Sequence, residues 1–393
     1  MRLTPKTELD QRIARLQALL AQEGLDGALL LQRADLFYFS GTIQQSHLFV
    51  PSDGTPLLMT RKSFSRARRE SALEAVVPLR SLRDLPGLLA GHGHAARLGM
   101  ELDVLPANLY FRYQQLFPQT ELVDVSPLVR QVRMIKSPYE IGVMREAARI
   151  ADTLTRHAAH VIREGMTEVE LAGELEAVAR REGHQGEIWM RNWNQAVFYG
   201  HVLAGRSGAV VSYLDAPLAG MGLSPAMPHG PSRRRIQRGE PIIVDYVAAC
   251  DGYLVDQMRV FALGSLSARW VAAYEAMLAV QEAVREAARP GALCADLYDL
   301  AVAEAAQGGY TESFMGHGEG QVAFVGHGVG IEIDELPVLA RGVEMPLQVG
   351  MVFALEPKVA FPGEGAIGIE NTWLVTEAGL EPLTFSDERI TIL

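Results

Sequence analysis

Hydrophobic and polar positions along this chain follow two periods, helical and strand-like, and their arrangement divides it. Leu9, Ile13, Leu16 and Leu20 recur at helical spacing over 8–24, where Gly24 suits a C-terminal stop. Short apolar runs at 27–31, 36–39, 47–50 and 56–59 follow, with Ser52-Asp53-Gly54 as a turn before the last. Strand-like stretches at 97–102 and 121–125 alternate with helical ones near 62–75 and 105–116. That alternation predicts an α/β domain over 1–128, with 129–136 as a linker. A second unit, 137–393, opens at Ser137-Pro138-Tyr139-Glu140: an N-cap serine, proline at the first helical position and Glu three residues after the cap. Ile141, Met144, Ala148, Ala151, Ala158 and Ile162 mark one face of a long helix. Thr167 and Glu170 repeat the capping spacing and predict another.

The second unit contains an internal echo. Arg163-Glu164-Gly165 followed by Glu170-Leu171 matches Arg289-Pro290-Gly291 followed by Asp296-Leu297 at an offset of 126, and Gly183 and Gly309 keep that offset. We read a duplicated helix–helix–sheet unit, whose functional site is expected where the halves meet.

Two apolar hairpins carry acids. In the segment 242–261, IIVDYVAACDGYLVDQMRVF, the turn at Asp251-Gly252 places Asp245 opposite position 258, with Asp256 its diagonal neighbour on the same face. Such neighbours lie about 5–8 Å apart. At an effective dielectric near 20 their repulsion is on the order of 2–3 kcal/mol, so a proton or a cation is required between them. Further on, MVFALE ends in Glu356, and the strand-like 366–375 carries Glu370. A hairpin turning near Gly363 places these two acids opposite each other. Between the hairpins, His327 stands in Gly326-His327-Gly328-Val329-Gly330, whose glycines allow close backbone approach and leave the imidazole prominent. Four carboxylates and a neutral imidazole balance two divalent cations. Oxygen-rich ligands with one His suit Mn²⁺, Fe²⁺, Co²⁺ or Zn²⁺. Two such ions can hold a water as hydroxide and polarise a carbonyl.

Composition narrows the setting. The chain of 393 residues is 48% hydrophobic and 21% charged, as expected for a soluble globular protein. A net charge of −11 argues against a nucleic-acid binder. No run approaches the length of a membrane span, and the first residues have no apolar core of signal-peptide length. Cys250 and Cys294 are too few for a disulfide framework and are expected as buried thiols. A cytoplasmic protein is the expectation. His92 and His94, flanking Gly93, are read as a solvated loop.

The order Asp245, Asp256, His327, Glu356, Glu370 resembles the pita-bread metallopeptidases, which include prolidase, aminopeptidase P and methionine aminopeptidase, with creatinase as a metal-free relative. GYLVDQMRVF is similar to their GYxSDxTRTF, GHGVGIEIDELP to their GHGIGxxxHExP, and VGMVFALEP to their GMVxTxEP. IKSPYEIGVMREAARIAD resembles the first helix of their catalytic domain. The resemblance implies a creatinase/prolidase-type N-terminal domain followed by an α+β pita-bread domain with pseudo-twofold duplication. It implies that all five residues hold a dinuclear centre, with Asp256 and Glu370 bridging or helping to hold both ions. Glu356 would also carry a proton to and from water. His229, in Met227-Pro228-His229-Gly230, matches a substrate-contacting, catalytic histidine. A homodimer is expected on the same ground.

The chain also departs from that pattern. Asp334 stands where a second histidine follows the ligand histidine by seven residues, Ala323 where another precedes it by four, and Gly368 where arginine precedes the last Glu. Val247 and Met258 replace a usual glycine and threonine. An aspartate at 334 would accept a hydrogen bond from a substrate amine. The leading expectation is a hydrolase that cleaves Xaa-Pro bonds in dipeptides or short peptides, using hydroxide on a dinuclear centre. The alternatives are the same site acting on a small non-peptide amide, by hydrolysis, ring opening or elimination, and a non-catalytic peptide-binding module.

Overall fold

Two compact units make up the chain, Met1–Arg133 with Arg191–Trp193, and Met134–Met190 with Asn194–Leu393. The computed structural model describes residues 2–91 and 95–393, so His92 and His94 lie outside the described residues.

The first unit is a six-stranded mixed sheet with helices. Its strands are β1 (Gly27–Leu30), β2 (Ser46–Pro51), β3 (Leu57–Thr60), β4 (Ala75–Pro78), β5 (Arg97–Met100) and β6 (Glu121–Asp124). Their order is β4-β3-β2-β1-β5-β6. Leu29, Phe49, Met59, Leu98 and Met100 fill its core. The apolar run 36–39 is helical, within Arg33–Ser40. A four-residue run does not discriminate strand from helix; here the ends decide. Gln32 caps the start by accepting from the Asp35 N–H, and left-handed Gly41 closes it. The helix Ser126–Met134 runs through most of 129–136, the stretch expected as a linker. Val129 and Val132, three apart, are buried and hold it to this unit.

Charged groups, most of them buried, pair with one another here. Asp35 accepts from Arg133 Nη1 at 2.6 Å and from Arg191 Nη1 at 2.8 Å. Arg191 also donates to both oxygens of Asp103, at 2.6 and 2.9 Å. Glu101 accepts the backbone N–H groups of Leu31 and Gln32. His47 meets the Tyr113 hydroxyl at 2.7 Å, and burial pushes its pKa down to about 4.

The second unit holds two sheets and two helix pairs. β7 (Gly200–Ala204), β8 (Ile242–Cys250) and β9 (Tyr253–Ala262) form one sheet, which the short β17 (Thr391–Ile392) joins at the edge. β10 (Phe324–Gly328), β11 (Glu335–Ala340), β12 (Val352–Leu355), β15 (Asn371–Thr376) and β16 (Gly379–Pro382) form the other, in the order β11-β10-β12-β15-β16. β13 (Lys358–Phe361) pairs with β14 (Gly365–Gly368) as a separate ribbon. The expected duplication is visible in the helices. Pro138–Val161 and Glu168–Arg181 recur as Ala268–Ala287 and Cys294–Gln307, and the second and fourth have the same length and bounds 126 residues apart. Gly165, Gly183, Gly291 and Gly309 all take left-handed φ. Both predicted capping boxes, Ser137 with Glu140 and Thr167 with Glu170, are formed. Cys294 is buried; Cys250, beside the hairpin turn, is only partly so.

Candidate metal centre

The site is built from the two hairpins and the strand that carries His327. β8 and β9 turn at Asp251-Gly252, where both residues have positive φ, and the ladder pairs Asp245 with Met258 and Val247 with Asp256. The two acids are therefore diagonal neighbours on one face, in the register read from the turn. In the second hairpin, β12 pairs Leu355 with Asn371, and β13 pairs Lys358 with Gly368. Glu356 and Glu370 continue both ladders and fall opposite each other between them. Gly363, at the tip, takes φ 75°.

Backbone contacts lock one hairpin to the other. The Met258 N–H donates to the Glu370 carbonyl at 3.3 Å. Thr372 Oγ1 accepts from the Asp256 N–H and donates to the Asp256 carbonyl, both at 2.8 Å. Arg259 is fully buried and donates to the carbonyls of Met258, Glu370, Ser386 and Asp387 and to Asn371 Oδ1, at 2.7–2.9 Å. A rigid guanidinium with every donor used thus fixes the backbone of the last acid against the strand of the second.

His327 is held by close approach. It pairs with Ala354 on one side and Val338 on the other. A Cβ at Gly326 would lie 2.5 Å from the Ala354 carbonyl oxygen, and one at Gly328 2.3 Å from that of Leu336. The glycines are needed because three strands crowd the backbone there.

The four acids and the histidine named from the sequence are brought together. His327 Nε2 lies 3.5 Å from Glu356 Oε1 and 3.8 Å from Glu370 Oε1. Ligand atoms of Asp256, His327 and Glu370 all lie within 4.8 Å of one another. Asp256 Oδ1 and Glu370 Oε1 are buried without a hydrogen-bond partner. Burial, then the charge of Asp245, pushes the Asp256 carboxyl up to about 7. Burial and Asp256 raise Glu370 well above the usual carboxylate range. Buried, unpartnered, mutually repelling oxygens that face an imidazole make a donor set that fits a divalent cation.

Sequence reasoning missed two residues. Lys358 is buried, and its ammonium donates to Asp245 Oδ2 at 3.0 Å, Glu356 Oε2 at 2.8 Å and Glu370 Oε2 at 2.7 Å. Burial works against its charge, but the three acids outweigh this and hold its pKa well above the ordinary value. The charge count that called for two divalent cations left this lysine out. The other is His201, which pairs across β7–β8 with Asp245. Its ring lies 6.0 Å from that of His229, its Nε2 is buried without a partner, and burial lowers its pKa to about 4. A signal for it existed: His201 precedes His327 by 126, the offset of the duplicated helices.

His229 is buried beside His201 and Tyr213, and burial lowers its pKa. Asp334 is half-buried in the turn between β10 and β11, immediately before Glu335. Ala323 immediately precedes β10, and Gly368 faces Lys358.

Comparison with known proteins places this architecture. Residues 142–377 match the model of metallopeptidase family M24, and residues 12–135 that of the creatinase/prolidase N-terminal domain. The chain therefore belongs to metallopeptidase family M24, with a creatinase-type N-terminal domain and a pita-bread catalytic domain, and it is an enzyme of that family. It is 26% identical to an Xaa-Pro dipeptidase of Pyrococcus furiosus over 97% of this chain and 100% of that one. Among solved structures, an Xaa-Pro dipeptidase from Bacillus anthracis superposes with a TM-score of 0.84 at 26% identity, covering 98% of this chain and 100% of the other. An X-Pro aminopeptidase from Thermotoga maritima gives a TM-score of 0.80 at 26% identity, over 97% and 99% of the two chains. Among the described residues no helix is long and apolar enough to cross a membrane.

Proposed function

We propose that this enzyme hydrolyses the Xaa-Pro bond of dipeptides or short peptides with a divalent metal, Mn²⁺, Co²⁺, Fe²⁺ or Zn²⁺, held among Asp245, Asp256, His327, Glu356 and Glu370. The observation that carries the reading is the pair of unpartnered buried oxygens on Asp256 and Glu370 facing His327, in a chain whose full-length relatives include Xaa-Pro dipeptidases. Bound there, a divalent ion supplies Lewis acidity, polarising the scissile carbonyl and acidifying a water.

The protein's own groups do the rest. Glu356 takes the proton from the attacking water through Oε1, the oxygen on the His327 side, while Lys358 holds Oε2. The same carboxyl then delivers the proton to the leaving nitrogen of proline, which has no hydrogen of its own and leaves only once protonated. His229, kept neutral by burial, donates a hydrogen bond to the substrate, and Asp334 accepts one from its amine. Supported by the resemblance alone, a cytoplasmic homodimer completes the reading.

A second reading, a small non-proline amide in the same site, is favoured by Ala323, Asp334 and Gly368, where the family's usual histidines and arginine are absent. A panel of Xaa-Pro dipeptides, longer Xaa-Pro peptides and non-proline amides, presented to metal-loaded protein, separates the two. Cleavage of an Xaa-Pro peptide that is lost in Glu356→Gln supports the first. Failure to turn over any proline peptide overturns it.

A further inference from the structure

The carboxylate cluster has two sides in different states. On one side Asp245 Oδ2, Glu356 Oε2 and Glu370 Oε2 converge on one atom, Lys358 Nζ, at 2.7–3.0 Å. An ammonium has three N–H donors, and each of these oxygens takes one. On the other side Asp256 Oδ1 and Glu370 Oε1 are buried with nothing bonded to them, and His327 closes the group. Glu370 spans both, with one oxygen on the lysine and one open.

We propose that this metal centre is mononuclear: the Lys358 ammonium fills the place of one cation, and a single divalent ion is held by Asp256, His327 and Glu370. The inference rests on the metallohydrolase reading above and limits its metal content.

The lysine is built in rather than fortuitously folded inward. It begins β13, and its cross-strand partner is Gly368. A Cβ at 368 would lie 2.5 Å from the Pro357 carbonyl oxygen, 2.7 Å from Lys358 Cα and 2.9 Å from Lys358 Cγ. The missing side chain at 368 is what lets the lysine stem lie against the opposite strand and aim its head at the acids. Its backbone is fixed as well, since the Lys358 carbonyl accepts the Met315 N–H at 2.8 Å. A second divalent ion would need the same three oxygens, and would meet a resident positive charge that is buried with them.

Two properties follow. One positive charge of the centre is covalent, so it survives chelation. The remaining ion has one imidazole and two carboxylates from the protein, leaving coordination positions for water and substrate.

The test is a metal count on the full-length protein. Chelated wild type and Lys358→Ala are titrated with Mn²⁺ by calorimetry, and the loaded samples are read by elemental analysis and electron paramagnetic resonance. Wild type should take up one equivalent and give the spectrum of isolated Mn²⁺. Lys358→Ala should take up two and show a spin-coupled pair. Two equivalents in wild type, or one in both proteins, overturns the proposal. Should Lys358→Ala not fold, anomalous scattering from wild-type crystals soaked in Mn²⁺ decides alone. A single peak between Asp256, His327 and Glu370 supports it, and a second peak, or one among Asp245, Glu356 and Glu370, sinks it. The count is independent of turnover. One ion without Xaa-Pro cleavage retains the mononuclear centre and removes the substrate reading, whereas two ions with cleavage do the reverse.

Discussion

Each unit of the molecule sets carboxylates against buried cations, and the two clusters are neutralised to different degrees. In the first, Asp35 and Asp103 are met by Arg133 and Arg191, and both oxygens of each acid are taken. In the second, three of four acids share one lysine, and two buried oxygens have no partner. Saturation marks a cluster whose task is to hold the fold. Deficit marks one that awaits a ligand, since an unsatisfied buried carboxylate is costly unless something binds it. Among the described residues, the second cluster is therefore the candidate place for the metal that the family's name implies.

The sharpest way to break this contrast is at the open side. Asp256→Asn should lower turnover by on the order of 10³-fold or more through loss of the metal. Steady-state assays with metal analysis check it, and near-normal activity with full metal content would remove Asp256 from the centre. In the first unit, Asp35→Ala leaves two buried guanidiniums short of a partner and should cost about 3–5 kcal/mol of stability in urea unfolding. A change below about 1 kcal/mol would mean that the arginines are not held as described.

Next in size is a pH effect confined to the first unit. His47 has a folded pKa of about 4 against an ordinary 6.5, so the unfolded chain binds more protons between those values. Its contribution is present above pH 6.5 and fades as pH falls towards 4, about 3 kcal/mol in total. His47→Gln should flatten that part of the stability profile, and an unchanged slope would count against it. The smallest effect reverses the usual sign. In chelated protein, Asp256→Asn should raise stability by about 1–2 kcal/mol by relieving repulsion among the acids. A loss instead would show that the open side is already balanced.

Much of this was legible locally. The Asp251-Gly252 turn and the alternation around it set the pairing of Asp245 with Met258, and a turn near Gly363 did the same for Glu356 and Glu370. Turn chemistry and period-two patterning are properties of neighbouring residues, which is why they can be read. Lys358 could not be read that way. A lysine at the start of a strand normally reaches solvent, and here its course depends on a glycine ten residues later and on acids from two hairpins. The helix Arg33–Ser40 escaped for a related reason, because its caps, not its short apolar run, determine it.

The close fit of Gly368 against Lys358 constrains how this sequence can drift. Any side chain at 368 pushes β13 and β14 apart and carries the ammonium off the acids, so an arginine at 368 and a lysine at 358 exclude each other in this geometry. Single substitutions at the two positions should therefore be strongly epistatic. A lineage exchanging one cation for the other would pass through an intermediate with neither, viable only while bound metal carries the whole positive charge of the cluster.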